Sequence, residues 1–152
     1  MVPGTGRRGG QGGGPDGDGL ARVVAELEIR NVIARVAHLA DHGDLEEYAS
    51  LFTEDGSWEY PGGPRRGRAD ILAGARERRS QKVTGPGSAT RHVITTLAVH
   101  VEDATTAIAD SYCLFWRDTT TAPVLFNMGH YHDVVCREGG AWRIARREIT
   151  LG

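Results

Sequence analysis

From Arg91 to Leu151 the chain reads as four β-rich runs in succession, Arg91–Val101, Ala104–Arg117, Val124–Arg137 and Ala141–Leu151. They are parted by Glu102-Asp103, a Thr-rich turn ending at Pro123, and Glu138-Gly139-Gly140. Alternating apolar runs joined by short turn sequences form hairpins, so this half of the chain is an antiparallel meander. The half before it is helical in pattern. Helices first and a long meander last is the order of an α+β fold, in which N-terminal helices pack in the concave face of a strongly curved antiparallel or mixed sheet. The expected architecture is a cone-shaped α+β barrel with a hollow at one end.

Residues 1–19 are glycine-dense and without periodicity, and cannot bury enough apolar surface to offset the entropy of ordering them. They are expected to be a disordered tail, leaving one domain over 20–152. From Leu20 the pattern is helical: Ile29, Val32, Ile33, Val36, Ala37 and Ala40 form one apolar stripe, and Asp41 continues it eight residues after Ile33. An earlier set, Leu20, Val23, Val24 and Leu27, is out of phase, so the helix either bends or begins afresh near Glu28. Asp44-Leu45-Glu46-Glu47 has the form of a capping box and predicts a short helix through Leu51 and Phe52. Glu54-Asp55-Gly56 reads as a turn, Ser57 to Tyr60 as a brief strand with Trp58 and Tyr60 on one face, and Pro61-Gly62-Gly63-Pro64 as an irregular loop. Arg68 to Arg79 is a further helix with Ile71, Leu72 and Ala75 inward.

Composition narrows the partners. A formal net charge of −2 over 152 residues offers no basic excess for phosphates, so no nucleic acid is expected. Lys82 is the only lysine, which argues against a catalytic lysine. No run approaches the roughly 18 apolar residues of a membrane span. Cys113 and Cys136 lie in separate strand-like segments, as buried thiols of a cytoplasmic protein would.

Asp41, Tyr60 and His92 are the residues that point to chemistry. A carboxylate on an apolar stripe must be paired or neutralised, because an unpaired buried charge costs several kcal/mol. A helix-terminal Asp could instead cap the following turn, but Asp44 already supplies that cap. On the strand opening at Arg91, Thr90, His92, Ile94, Thr96 and Ala98 share one face and read as a cavity wall; Val93, Leu97, Val99 and Val101 share the other and read as core. A lone histidine there is more often a structural group than a catalyst. A carboxylate on one ring nitrogen changes that, since it fixes the tautomer and leaves the other nitrogen as a base. Trp58, Phe115, Trp116, Phe126, Met128 and Tyr131 are candidate pocket walls, some of which alternation must turn away. His130 and His132 share one strand face, one of them expected in the pocket and the other packed beside a neighbour such as Trp142. Their spacing also serves metal sites, but Asp133 falls on the opposite face and Glu138 in a hairpin, and no metal is expected. Arg76, Arg78 and Arg79 read as a solvated helix face, with an anionic substrate tail as the less common alternative partner.

The stretches ADHGDLEEYASLFTEDGSWEY, TRHVIT and GHYHDVVCREGGAWRIA resemble the SnoaL-like branch of the nuclear transport factor 2-like superfamily, and among its enzymes the scytalone dehydratases. The resemblance covers about Leu20 to Leu151. It places the family's helix-end aspartate on Asp41, its strand tyrosine on Tyr60 and its histidine on His92. The dehydratases also carry a tyrosine just before the aspartate, where this chain has Ala40, and a second histidine on the next strand, where Phe115 to Arg117 holds none.

The resemblance and the residues together imply a cofactor-independent dehydratase acting on a hydrophobic, polyketide- or steroid-like ketone, with His92 as base, Asp41 orienting it and Tyr60 bonding the carbonyl oxygen. An isomerase or aldol-type cyclase using the same pair, and a non-catalytic small-molecule-binding or assembly module, are the alternatives. By analogy with other open cones, a homodimer or homotrimer is expected.

Overall fold

The computed structural model describes residues 15–152. The expected tail lies outside the described residues as far as residue 14; from Pro15 the chain is helical. Pro suits the first position of a helix, where its missing N–H would have had no intrahelical acceptor. Helix α1 (Pro15–Asp41) runs unbroken, so the phase change near Glu28 marks no new start. Instead its first turns leave Leu20, Val23, Val24 and Leu27 exposed, while Ile29, Ile33 and Val36 enter the core.

Helix α2 (Leu45–Ser50) follows, capped by Asp44 Oδ1, which accepts the Glu47 N–H at 2.8 Å. Only half of the capping box forms, because the Glu47 carboxylate turns to Arg35. Phe52 opens strand β1 (Phe52–Glu59) rather than ending a helix. Glu54-Asp55-Gly56 is no turn between elements but an irregularity within β1: Phe52 pairs with Ile144 and Ser57 with Arg146, so β1 carries extra residues against β6. Gly56 is needed there, since a Cβ would lie 3.0 Å from the Thr53 carbonyl oxygen and 3.2 Å from that of Ile144. The Pro-Gly loop leads into a two-residue strand, β2 (Arg65–Arg66), paired antiparallel to β1. Then come α3 (Arg68–Ser80) and the meander β3 (Arg91–Val101), β4 (Thr106–Arg117), β5 (Val124–Glu138) and β6 (Ala141–Leu151).

The sheet order is β2-β1-β6-β5-β4-β3. All neighbours are antiparallel except β1 and β6, which run parallel. The sheet is therefore mixed, as expected, but it does not close: β2 and β3 remain edges, and the fold is an open cone. Helix α1 packs against both β3 and β6. The core lies between Ile29, Ile33 and Val36 of α1 and Ala107, Ala109, Val135 and Ile144 of the sheet. Among the described residues no helix is long and apolar enough to cross a membrane.

Strand β3 departs from simple alternation. Its register on β4 shifts between Thr95 and Ala98, and Thr96 adopts a φ of 52°. A bulge adds one residue and flips every side chain beyond it to the other face. His92 and Ile94 before the bulge thus share the inner face with Leu97, Val99 and Val101 after it, while Val93 is 44% exposed on the outer face. The expected division of β3 into one core face and one cavity face is wrong for this reason.

Candidate active site

Asp41 is the last residue of α1 and is 3% exposed. Two features hold it there. Gly43 lets the chain turn tightly against α1, since a Cβ would lie 2.9 Å from the Leu39 Cα. Arg79 of α3 donates to the carbonyls of Gly43 (2.9 Å), Leu39 (3.1 Å) and Ala40 (3.3 Å), closing the helix C-terminus. Arg79 is thus no part of a solvated face, and Arg76 alone of its group pairs outward, with Glu46.

The Asp41 carboxylate receives two bonds from one residue of β3. The His92 backbone N–H donates to Oδ2 at 3.0 Å, and ring Nδ1 lies 2.7 Å from Oδ1. An acceptor-only carboxylate at Nδ1 requires the proton to sit on that nitrogen, which leaves Nε2 as the basic atom of the neutral ring. Nε2 makes no hydrogen bond among the described residues, and the ring tilts against Phe115 with centroids 4.7 Å apart.

His92 stands where two chambers of one cavity meet. The inner chamber, about 50 Å³, lies under α1 between Tyr48, Trp58, Tyr131 and Arg147. The outer chamber, about 290 Å³, opens past Tyr60, Phe115, Arg117 and Phe126. Trp58, Arg78, Thr84, His92 and Tyr131 border both. Tyr60 follows β1 and stacks on Trp58 at 5.3 Å between centroids. Tyr60 and His92 therefore border the cavity together with Trp58, Phe115, Phe126 and Tyr131 as walls, while Asp41 lines neither chamber and reaches the cavity only through its bonds to His92.

Four expected pocket residues are elsewhere. Trp116 and Met128 line neither chamber; they alternate with Phe115 and Gly129 and lie on the other side of the sheet. His130 and His132 are also outside, because Gly129 and Tyr131 between and before them face in. Both imidazoles turn instead to Asp110 on β4: His132 Nδ1 hydrogen-bonds it at 2.8 Å, and His130 Nε2 lies 3.2 Å from the same carboxylate oxygen, with side chains 43% and 42% exposed for His130 and His132. Neither meets Trp142, which is buried on the opposite face.

The floor of the inner chamber holds residues not anticipated from sequence. Arg147 is 2% exposed and binds Asp133 in a fork, Nε to Oδ1 at 2.7 Å and Nη2 to Oδ2 at 2.8 Å. Burial alone pulls the guanidinium's pKa down, but the Asp133 charge and its hydrogen bonds outweigh this and hold it above the ordinary value. The Arg147 Cζ also lies 4.5 Å from the Tyr131 ring centroid. Burial raises the Tyr131 phenol well above its usual range, so it remains a neutral hydrogen-bonding group. Burial likewise raises the Cys113 thiol beside it, although the Tyr131 hydrogen bond opposes the shift. The sequence signal for the floor was the facing of opposite charges across the β5–β6 hairpin.

A SnoaL-like domain model matches residues 21–148. The chain belongs to the SnoaL-like domain family. No curated protein matches the sequence, but solved structures of the family's fold do. A Mycobacterium tuberculosis protein of unknown function, Rv3472, superposes with a TM-score of 0.78 at 28% identity, over 91% of this chain and 78% of that one. A nuclear transport factor 2-like protein with a cystatin-like fold from Novosphingobium aromaticivorans gives 0.76 at 26% identity, over 91% and 90% of the two chains. ActVI-ORFA of Streptomyces coelicolor gives 0.69 at 26%, over 84% and 97%. The matched span of the SnoaL-like domain contains Asp41, Tyr60 and His92 together with the Asp133–Arg147 floor.

Proposed function

We propose that this SnoaL-like protein is a cofactor-independent enzyme that abstracts an α-proton from a hydrophobic aromatic or polycyclic ketone, of the polyketide type, and expels water from the adjacent carbon. The observation that carries this reading is the pairing of buried Asp41 with a half-buried His92 whose ring borders a walled cavity.

The steps follow from the pair. His92 Nε2 takes the α-proton, and the C–H electron pair moves through the α-carbon to the carbonyl oxygen, giving an enolate. Asp41, already bonded to Nδ1, balances the charge of the imidazolium that forms. The enolate then collapses, the C–O bond at the β-carbon breaks, and the leaving hydroxyl takes the proton from Nε2 as water. His92 ends as it began, and no oxidant or reductant is consumed. Tyr60 is the donor assigned to the developing enolate; a preorganised donor of this kind lowers a barrier by about 3 to 4 kcal/mol. The apolar walls support the scheme because a dry site strengthens both the ion pair and the donor.

Deuterium exchange at the α-carbon of 2-tetralone in heavy water, followed by proton NMR, tests the first step without requiring the natural substrate. The wild-type protein is expected to accelerate exchange over buffer and folded His92→Ala to lose that acceleration, by roughly 10²- to 10⁴-fold. Equal exchange by the two proteins, or none above buffer by either, would remove the proposed base.

A further inference from the structure

Thirteen arginine side chains among the described residues engage a protein acceptor, from Arg22 on the Val101 carbonyl to Arg147 on Asp133. Arg78 and Arg117 engage none among the described residues. Both line the outer chamber, Arg78 from α3 and Arg117 from the end of β4. Each guanidinium lies against an aromatic ring instead: Arg78 Cζ is 4.7 Å from the Trp58 ring centroid and Arg117 Cζ is 3.2 Å from that of Phe126. Stacking holds the flat of a guanidinium and leaves its N–H edge available to a ligand.

The charges around them make the case stronger. No aspartate or glutamate borders the outer chamber. The two nearby buried carboxylates are occupied, Asp41 by His92 and Asp133 by Arg147. Two cations without an ion-pair partner on the wall of an apolar hollow focus a positive potential into it. A planar carboxylate matches the paired N–H edges of guanidinium groups better than any neutral acceptor.

We infer that the outer chamber recognises a carboxylate on the substrate, held by Arg78 and Arg117, so that the natural substrate is an aromatic or polycyclic keto acid. This rests on the reading of the cavity as a substrate site. It also fixes the orientation: Arg117 is exposed at the mouth, so the acid end faces outward and the ketone end reaches His92.

Calorimetric titration of the full chain with naphthalene-2-carboxylate and with its neutral isostere naphthalene-2-carboxamide tests the inference. The carboxylate is expected to bind roughly ten-fold more tightly than the amide at neutral pH and low salt, and the preference to shrink near 0.5 M salt, where the Debye length is only about 4 Å. Arg78→Met and Arg117→Met should each cut the preference by about three-fold and the double variant abolish it; Arg117→Lys, which keeps the charge, should retain part of it. Equal binding of the two probes by wild type overturns the inference, as does a preference that survives in a double variant with native circular dichroism, and either result leaves the His92 chemistry standing. Failure of both probes to bind overturns the inference together with the reading of the cavity as a ligand site, whereas lost exchange chemistry with the preference intact would count against the base alone.

Discussion

Asp133 and Arg147 face each other across β5 and β6 as a fully buried, two-pronged ion pair beneath the inner chamber, with N···O distances of 2.7 and 2.8 Å. Two desolvated charges tolerate each other only while both are present. Asp133→Ala should therefore cost about 3 to 5 kcal/mol, because it strands a buried guanidinium. Replacing both at once, as Asp133→Leu with Arg147→Met, should cost much less than the sum of the single changes. Urea denaturation of the three variants measures this; simple additivity would show that the pair is not coupled.

Arg79 closes the end of the helix that presents Asp41. Its bonds to three carbonyls are charge-assisted, and bonds of that type contribute about 1.5 to 3 kcal/mol. Arg79→Met should lower stability by that amount. It should also weaken catalysis in excess of the stability loss, since α1 would fray within two residues of Asp41. The check is exchange activity at a temperature where the variant remains folded. Activity equal to wild type there would make Arg79 a stability residue alone.

Gly43→Ala addresses the same corner from the backbone. The added methyl would contact Leu39 Cα at 2.9 Å and its Cδ2 closer still, so the turn must shift. A loss of about 1 to 3 kcal/mol is expected from such overpacking, read as a drop in Tm, together with a changed His92 environment in NMR spectra. An unchanged Tm would mean that the turn relaxes freely.

Alkaline pH should destabilise the protein through Tyr131 and Cys113. Burial raises both in the folded state, so the folded protein holds these protons more tightly than the unfolded chain does. Their contribution is complete below the unfolded values, about 8.5 for a thiol and 10 for a phenol, and is lost progressively as pH rises above them. Tm should therefore decline from about pH 9 upward, and less steeply in Cys113→Ser. A slope identical in the variant would exclude the thiol from the effect.

Much of this arrangement was legible in the linear chain, and the parts that were not have a common cause. Asp41 continues the stripe of Ile29, Ile33 and Val36, and His92 begins a strand, so period alone turned both inward. Irregularities in strand register defeated the same arithmetic elsewhere. The bulge at Thr96 reversed the facing of Leu97, Val99 and Val101. Counting back from the Gly139-Gly140 turn sets Asp133 opposite Arg146; the extra residue Ala145 moves Arg147 into that place. Alternation put His130 and His132 on a common face but carried no sign for inside or outside. That sign comes from Asp110, which pairs with His132 on β4 and draws both rings to the outer surface. Arg78, Arg79 and Arg76 have the same composition and three different fates, decided by partners that lie far along the chain.

The central claim is that Asp41 holds His92 with its proton on Nδ1 and leaves Nε2 as a base facing the cavity. Nitrogen-15 NMR of ring-labelled protein reads this directly in the neutral form. His92 is expected to populate the Nδ1–H tautomer, Asp41→Asn to perturb it, and a cavity ligand to shift the Nε2 resonance most. A His92 ring with its proton on Nε2, unaffected by Asp41→Asn, would contradict it.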